Sequence, residues 1–506
     1  MDFILHCSFE EKEAKIQEAV SVALSQPLFF FPSVCAGLGI HMLFLYEDSP
    51  REVFLESALH IGAAQGDEAI TVESVAKLAE VTPAEVRAEF PDREQIVAAI
   101  PNYASERKVK FLEETLDAAP GYADLFTKLT TFTEAYYEYA EREPELFRYL
   151  FEQKGCVFED EWQSLLQGNR SGNRALDLIY DNIALIADDA QLEVGPDVCP
   201  QTLAKLSVAS WATVHGMAHL SVLGVLRHQH SVVRRFNLRE VCKALIGTLF
   251  MTAETLELPD LRHPMQEYRA LLSGFTPDRD LSLDITAIED LTELPAEQAR
   301  AAVVERAIQL AAWVGMQSVT IENVAEYFGV SDVFVASLAD NDFVLRETVE
   351  QETDRELVDG ILYLLERLPE GASAVDKLLC VAVAYFHYAV EHPERYSACI
   401  GAASGSVVPL SEDGEEQTQM SESFALLMRF AREALREAGH EPEDRLVYIK
   451  NFILWAGADG MCHLASVGEF RNIDLDEKWS LYYSVAAVVL ASFKYGLPQE
   501  AAVANP

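Results

Sequence analysis

The sequence predicts an all-α protein that contains two copies of one fold. Apolar residues recur at steps of three and four positions through most segments, while alternation with a period of two is absent over any useful length. Blocks of sequence also return later in the chain in the same order. Half of the 506 residues are hydrophobic, so the chain has enough apolar material for a packed core.

Three pairs of blocks define the internal repeat. The first two pairs share an offset of 249 positions, and the third has an offset of 244. Because the blocks are colinear over a long stretch, we infer a tandem duplication. The pairs are TVESVAKLAEV (71–81) with TIENVAEYFGV (320–330), AEREPE (140–145) with AVEHPE (389–394), and WATVHGMAHL (211–220) with WAGADGMCHL (455–464).

Helical patterns cover most of both halves. Each half begins with a long amphipathic helix, at 51–64 in the first half and at 302–314 in the second. The segment 259–298 between the halves contains several proline and acidic residues and is predicted to be a linker. The other long helical patterns lie at 122–141, 174–187, 202–226, 238–256, 374–391, 421–438, 445–467 and 478–494.

Two short helices follow the opening helix of the first half. Thr71 is placed to cap a helix over 72–78, and Thr82 is placed to cap a second one that runs to about Phe90. Apolar residues such as Val75 and Val86 would form a small three-helix core. This order is typical of a helix-turn-helix, whose second short helix reads base edges in the major groove of DNA.

The amino-terminal stretch 19–46 contains no Asp, Glu, Lys or Arg and is long enough to cross a bilayer. Pro27 and Pro32 weaken a helix there, and the acidic residues before it do not resemble a signal peptide. Three interpretations stay open: a membrane segment, an extension upstream of a native start at Met42, or a packed appendage.

The charge balance limits the kinds of partner. With 39 Lys+Arg against 82 Asp+Glu, the formal net charge is −43, which argues against broad non-specific binding of nucleic acid. The eight cysteines form no CxxC pair, so no zinc site is indicated, and scattered single cysteines fit a reducing compartment. We therefore expect a cytoplasmic protein, with a membrane tether through 19–46 as the alternative.

With these motifs in place, the sequence resembles the TetR family of transcriptional regulators. The resemblance covers about 48–256 and 299–496, and it also includes AEREPELFRYLF (140–151) and AVEHPERYSACI (389–400). The motifs that carry it are Thr71-Val72, Val75-Ala76, Val81-Thr82 and Phe90-Pro91 in the first half, Thr320, Val324-Ala325 and Gly329-Val330-Ser331 in the second, and the related blocks Trp211…His215-Gly216 and Trp455…Asp459-Gly460.

The resemblance implies a fused pseudo-dimer, because the family works as homodimers on palindromic operators. The last two helices of each half would then pack together as a four-helix bundle, further dimerisation stays open, and a small-molecule effector would release the DNA. The implied domains are an extension (1–47), a first helix-turn-helix (48–100), a first ligand and dimerisation domain (101–258), the linker (259–298), a second, degenerate helix-turn-helix (299–348) and a second ligand and dimerisation domain (349–497).

The resemblance also assigns site residues, in three groups. The partners it implies are operator DNA and an unidentified effector. The residues are Thr71, Thr82, Ala84, Glu85, Arg87, Arg93, Thr320 and Ser331 for DNA binding, Phe132, Tyr136, Tyr385 and Phe386 for a ligand pocket, and Trp211, His215, Trp455 and Asp459 for the dimer interface.

The sequence departs from the family pattern on the surface that would face DNA. Glu80 replaces the glycine of the turn, and residues 71–97 hold three basic residues against six acidic ones. Residues 320–345 hold five acidic residues and no Lys or Arg. Such heads should bind DNA weakly at ordinary salt. Either high intracellular salt screens the repulsion, or the first head binds alone, or the protein is a ligand-sensing or protein-interaction module that has lost DNA binding.

No motif supports an enzyme or a cofactor. The sequence has no phosphate loop, nucleophile elbow, dinucleotide fingerprint or metalloprotease helix. His215 and His219 have the i, i+4 spacing that can hold a metal, but the second half has Asp459 and His463 at those positions. We therefore expect core or interface histidines and no metal site.

Overall fold

All of the secondary structure in the described residues of the computed structural model is helical, which confirms the predicted all-α class. The two halves follow the same order of elements, so the duplication is also confirmed. The structure describes residues 49–117, 125–149, 159–171, 174–191, 200–255, 261–275, 284–288, 290–402, 421–468 and 470–494.

The first half contains a helix-turn-helix head followed by a core domain. Ser49 and Glu52 form a capping box at the start of the opening helix, which ends before Gly66 at a φ of 84°. The helices are α1 (Pro50–Gln65), α2 (Val72–Leu78), α3 (Pro83–Glu89), α4 (Arg93–Asp117), α5 (Leu125–Arg142), α6 (Pro144–Arg148), α7 (Glu159–Leu166), α8 (Arg174–Gln191), α9 (Pro200–Val222) and α10 (Ser231–Thr255).

After α11, which lies between the halves, the second half repeats this order, except that its described residues contain no counterpart of α7. Its long connecting helix begins at an Asn341 cap and runs from the head into the core domain, as α4 does in the first half. The helices are α11 (Arg262–Leu272), α12 (Ala296–Trp313), α13 (Ile321–Phe328), α14 (Asp332–Ala339), α15 (Asp342–Leu365), α16 (Ala374–Glu391), α17 (Pro393–Ala402), α18 (Glu422–Glu437), α19 (Asp444–Ser466) and α20 (Leu475–Ala491).

The two core domains meet through the last two helices of each half. Helix α9 packs along α19 and α20, and α10 packs on both of them. These helices carry long buried runs, from Ala204 to Leu220 in α9 and from Trp479 to Ala491 in α20. A helix that is apolar on most sides needs partners on most sides, and the four helices satisfy this need for one another.

The segment between the halves differs from the predicted linker. Within 259–298, helix α11 packs on α15, α16 and α20 of the second half. Met265 and Leu272 are buried, and Arg269 pairs with Asp476 at 2.7 Å. Ile285 and Leu291 join the core of the second head. The apolar face of α11 therefore holds much of this segment to the second half.

The amino-terminal stretch 19–46, for which a membrane segment was one of three interpretations, lies outside the described residues. Among the helices that the structure describes, none is both long enough and apolar enough to cross a membrane.

Candidate functional site

The first head has the predicted caps. The Thr71 hydroxyl accepts a hydrogen bond from Ser74 N at 3.0 Å. At the next helix, the backbone N–H and the hydroxyl of Thr82 donate to the Glu85 carboxylate at 2.8 and 2.7 Å. These bonds, the backbone one first, hold the pKa of Glu85 below its usual value. Thr71, Thr82 and Glu85 therefore fix the starts of α2 and α3.

Arg87 is the basic residue on the reading helix α3. Its side chain is 51 % exposed, and its Nη2 lies 2.5 Å from Glu73 Oε1 on α2. Ala84 is exposed on the same helix. Because exposed ion pairs contribute only about 0–1 kcal/mol, a DNA phosphate can replace Glu73 as the partner of Arg87 at little cost.

Arg93 has a different place from the predicted DNA contact. Its Nε donates to the Ile70 carbonyl and its Nη2 to the Asp67 carbonyl, both at 2.9 Å. The guanidinium also lies 3.5 Å from Glu68. The side chain is 32 % exposed and holds the turn before α2, a structural role that the sequence did not predict.

The turn between α2 and α3 shows the cost of the missing glycine. Glu80 has a φ of 57°, the left-handed region that disfavours a side chain. The equivalent residue of the second head is Gly329, with a φ of 64°. The two turns have the same backbone shape, and only the first requires a non-glycine residue to adopt it.

The second head has the same architecture with different side chains. Thr320 accepts from Asn323 N at 3.1 Å, and Ser331 accepts from Phe334 N at 3.3 Å. Both therefore cap their helices, and their contact with DNA stays a prediction. Arg346 donates to the Val319 carbonyl at 3.0 Å. This carbonyl is equivalent to that of Ile70, so Arg346 replaces Arg93 in this bond from a position one helical turn later.

The exposed surface of the second head is apolar and acidic. Val333 on α14 is 79 % exposed and Phe343 at the start of α15 is 71 % exposed. Ala336 stands where the first head has Arg87. Residues 320–345 include no Lys or Arg. Contacts between such cations and DNA phosphates supply much of the affinity of a protein for DNA.

The contact between the halves centres on two equivalent glycines. A Cβ on Gly216 of α9 would lie 2.6 Å from Gly460 N and closer still to the Ala456 carbonyl oxygen. A Cβ on Gly460 of α19 would lie 2.6 Å from Gly216 N and would meet the Ala212 carbonyl oxygen. The backbones of α9 and α19 are therefore in contact, and each glycine has the same kind of contact with the opposite helix.

A buried polar network surrounds this crossing. Tyr136 Oη and His215 Nδ1 are hydrogen-bonded at 2.9 Å, and His215 Nε2 bonds His463 Nδ1 at 2.9 Å. The equivalent path begins at Tyr385, whose hydroxyl donates to Asp459 Oδ1 at 3.2 Å. Asp459 Oδ2 in turn lies 2.8 Å from His219 Nδ1. One path thus runs from α5 across the interface to α19, and its pseudo-symmetric counterpart runs from α16 across the interface to α9.

Burial sets the protonation of these groups. It lowers the pKa of His215 and of His463 well below the usual value, and the neighbouring histidines lower them further. It also raises the pKa of Tyr385 well above the usual value. In the part of the chain that the structure describes, no group of three or more His, Cys, Asp or Glu side chains is arranged to hold a metal.

The remaining predicted residues lie in packed aromatic surroundings. Trp211 is buried with its ring 5.7 Å from that of Phe470, and Trp455 Nε1 donates to the Tyr385 hydroxyl at 3.3 Å. Phe386 stacks on Tyr482 at 4.1 Å, and Phe132 is buried on α5. The predicted pocket residues Tyr136 and Tyr385 thus belong to the interface network, whereas Phe386 is a core aromatic.

Two residues of this region were missed by sequence reasoning. Tyr396 donates to Asp459 Oδ1 at 2.7 Å, and its neighbour Arg395 is a buried cation on α17. The repeat offset pairs them with Phe147 and Leu146 of the first half. A change from apolar to polar at paired core positions was therefore a signal that the sequence contained.

Known proteins are similar to this chain in both halves. Residues 129–239 and 378–488 each match a family model described as "Tetracyclin repressor-like, C-terminal domain". An uncharacterised HTH-type transcriptional regulator of Mycobacterium tuberculosis is 28% identical over 182 residues, which is 36% of this chain and 77% of that protein. The matched ranges cover the helices of both core domains.

Proposed function

The chain belongs to the TetR family of transcriptional regulators as a tandem duplication, and from this premise we propose that it works as a single-chain counterpart of a homodimer. In this proposal the first head binds operator DNA, the second head does not, and a small-molecule effector acting on the core domains repositions the first head. The regulator is a repressor that the effector releases.

The observation that carries the proposal is the crossing of α9 and α19. Gly216 and Gly460 allow backbone contact between equivalent helices of the two halves. The cross-half bond between His219 and Asp459 and that between His215 and His463 are buried beside it. A surface of this kind, filled from within one chain, leaves no equivalent face for a second copy, so we expect a monomer in solution.

DNA binding by the first head rests on Arg87 and the two capped helix starts. The amides at the Thr71 and Thr82 caps and the exposed guanidinium of Arg87 are groups that bind phosphate. Arg93 is not part of this proposal, because its Nε and Nη2 donate to carbonyls of the head. Few phosphate contacts imply a modest affinity and a shallow salt dependence.

Effector response rests on the position of Tyr136 and Tyr385. Each lies on a core-domain helix, and each bonds a residue of the α9–α19 contact. A molecule that displaces either tyrosine would alter the contact between the halves. Such a displacement is the kind of change that moves reading heads relative to each other.

The test is chromatin immunoprecipitation with sequencing in the native organism, followed by gel shifts on the enriched fragments. Thr82→Asp with Arg87→Glu should abolish binding, because it adds a carboxylate at the start of α3 and reverses the charge of Arg87, while Asp still caps the helix. The matched control is Ser331→Asp with Ala336→Glu at the equivalent positions of the second head, and it should leave binding unchanged. Equal loss in both variants would contradict a single reading head.

A second candidate function is supported by the exposed Val333 and Phe343 on a head that has no Lys or Arg between residues 320 and 345. Exposed apolar side chains at such positions are typical of a protein-interaction surface. If no enriched motif appears in the sequencing experiment, the protein is better described as a ligand-sensing or interaction module that retains the family scaffold.

A further inference from the structure

Helix α17 lies between the second head and the contact of the two halves. We propose that Arg395 and Tyr396 are positioning residues that tie the second head to the cross-half pair Asp459–His219, by a polar path that the first half lacks. The inference rests on the proposed pseudo-dimer and concerns how the state of the interface reaches one head.

Arg395 joins the head to the core domain. Its guanidinium bonds Glu305 on α12, the opening helix of the second head, and its Nη1 bonds Glu356 on α15 at 2.6 Å. The Tyr388 hydroxyl donates to the same Glu356 at 2.9 Å. All three charged side chains are buried, so the arginine neutralises two carboxylates that would otherwise repel each other in a poorly solvated site.

Tyr396 joins the same helix to the interface. Its hydroxyl donates to Asp459 Oδ1 at 2.7 Å and lies 3.1 Å from the Asp459 backbone carbonyl. Asp459 also holds His219 of the first half at 2.8 Å. Adjacent residues of α17 therefore contact the head on one side and the hydrogen-bonded pair Asp459–His219 on the other, and a movement of Asp459 is passed to Glu305 through one short helix.

The first half is built differently at the equivalent positions. Leu146 and Phe147 replace Arg395 and Tyr396, and Phe147 packs against the His215 ring at 5.4 Å. Glu56, the counterpart of Glu305, pairs with Arg107 of α4 at 3.1 Å. That arginine comes from the helix that continues out of the first head, and it also lies 3.7 Å from Glu143 just before α6. In the described part of α6 it has no polar link to the cross-half histidines, because Phe147 stands where the second half has Tyr396.

The first head is held by a shared apolar core and by Tyr149, which follows α6. Tyr149 donates to Asp67 of the head at 2.5 Å and covers Gly62 of α1, where a Cβ would lie 2.5 Å from the tyrosine hydroxyl. The first head also shares one continuous hydrophobic core with the core domains. The second head has Ala311 and Ala398 at these positions, and its core is a separate cluster. The orientation of the second head thus depends more on the Arg395 contacts.

The experiment measures head positions by double electron–electron resonance on the full chain. Spin labels are attached to noncanonical amino acids, since the chain has eight cysteines. One label replaces Ala88 or its equivalent Ser337, both exposed on the reading helices, and the reference label replaces the exposed Ala425 on α18. Arg395→Met should shift and broaden the 337–425 distance while the 88–425 distance stays narrow.

Rescue and matched variants separate positioning from general damage. Arg395→Lys should restore the narrow 337–425 distance, and Tyr396→Phe should shift it with circular dichroism unchanged. Arg107→Met, the matched control in the first half, should leave the 337–425 distance narrow. If Arg395→Met does not fold, Glu305→Gln replaces it with the same expected shift. An unchanged 337–425 distance in these variants, or an equal shift of that distance in Arg395→Met and Arg107→Met, would overturn the inference. The readout uses no DNA, so its outcome is independent of operator binding.

Discussion

The two heads share a backbone and differ in surface. Both have capped short helices, and both have a left-handed turn residue. The first head exposes Arg87 and has an unfavourable Glu80 in its turn, whereas the second has a favourable Gly329 and exposes Val333. The first head thus combines an exposed cation that can bind phosphate with an unfavourable turn residue. The second head has a favourable turn residue and no cation at the position of Arg87.

In the core domains, by contrast, side chains of the two copies pair with each other across the interface. His215 faces His463, and the equivalent pair is Asp459 with His219. A duplicated chain can place an acid and a base at equivalent positions, which a homodimer cannot do. The two copies therefore differ in a complementary way at the interface, whereas the heads differ in the surface that would face DNA.

The largest effect is expected at the helix crossing. Gly216→Ala and Gly460→Ala each place a methyl group on the backbone of the opposite helix, and each should lower the free energy of unfolding by about 3 kcal/mol through overpacking. Urea denaturation measures both. Gly274→Ala is the control, because its Cβ would have only ordinary contacts at 3.6 Å. Clearly unequal losses at the two glycines would break the pseudo-symmetry.

The joint between head and core domain gives the next effect. Tyr149→Ala should cost about 3 kcal/mol in the first half, since it removes a buried aromatic and its bond to Asp67. Gly62→Ala should also destabilise, because the new methyl meets Tyr149. The double variant recreates the Ala311–Ala398 pairing of the second half and should cost less than the sum of the two single changes, as a double-mutant cycle would show. Strict additivity would argue against the equivalence.

The interface histidines predict a dependence on pH. Burial depresses the pKa values of His215 and His463 in the folded protein, and neighbouring groups, which include Lys108 for His215, depress them further. Below the ordinary histidine pKa of about 6.5, the unfolded chain binds protons that the folded chain does not. Stability should therefore be full above that pH and fall below it, by at most about 1.4 kcal/mol per pH unit for each histidine. Thermal melts across pH measure this, and His463→Gln should reduce the slope.

The smallest effect concerns the turns of the two heads. Glu80→Gly should stabilise the first head by about 1 kcal/mol by relieving the left-handed conformation. Gly329→Glu should destabilise the second head by a similar amount. Hydrogen exchange of the amides in α3 and α14 reports each head separately. If Glu80→Gly weakens the first head, the backbone at this turn is not under the strain that its φ indicates.

More of the fold than of the candidate site could be predicted from the sequence. The capped helices at Thr71 and Thr82 and the duplication follow from spacing and repeated blocks, and the structure bears them out. The contact of the last helices was implied by the family resemblance, and these helices do pack together. The role of Arg93 did not follow, because a family position does not show whether a long side chain turns inward to carbonyls. The Arg395 path did not follow either, because it joins residues far apart in the chain. Contacts of that kind depend on packing that no local pattern contains.

The most direct test of the account is a hydroxyl-radical footprint of the complex on an enriched operator, with the mass of the same complex measured by light scattering. We predict one chain per DNA duplex and one protected half-site, lost with Thr82→Asp and Arg87→Glu. Two equally protected half-sites one helical turn apart, or two chains per duplex, would contradict a single-chain dimer with one reading head.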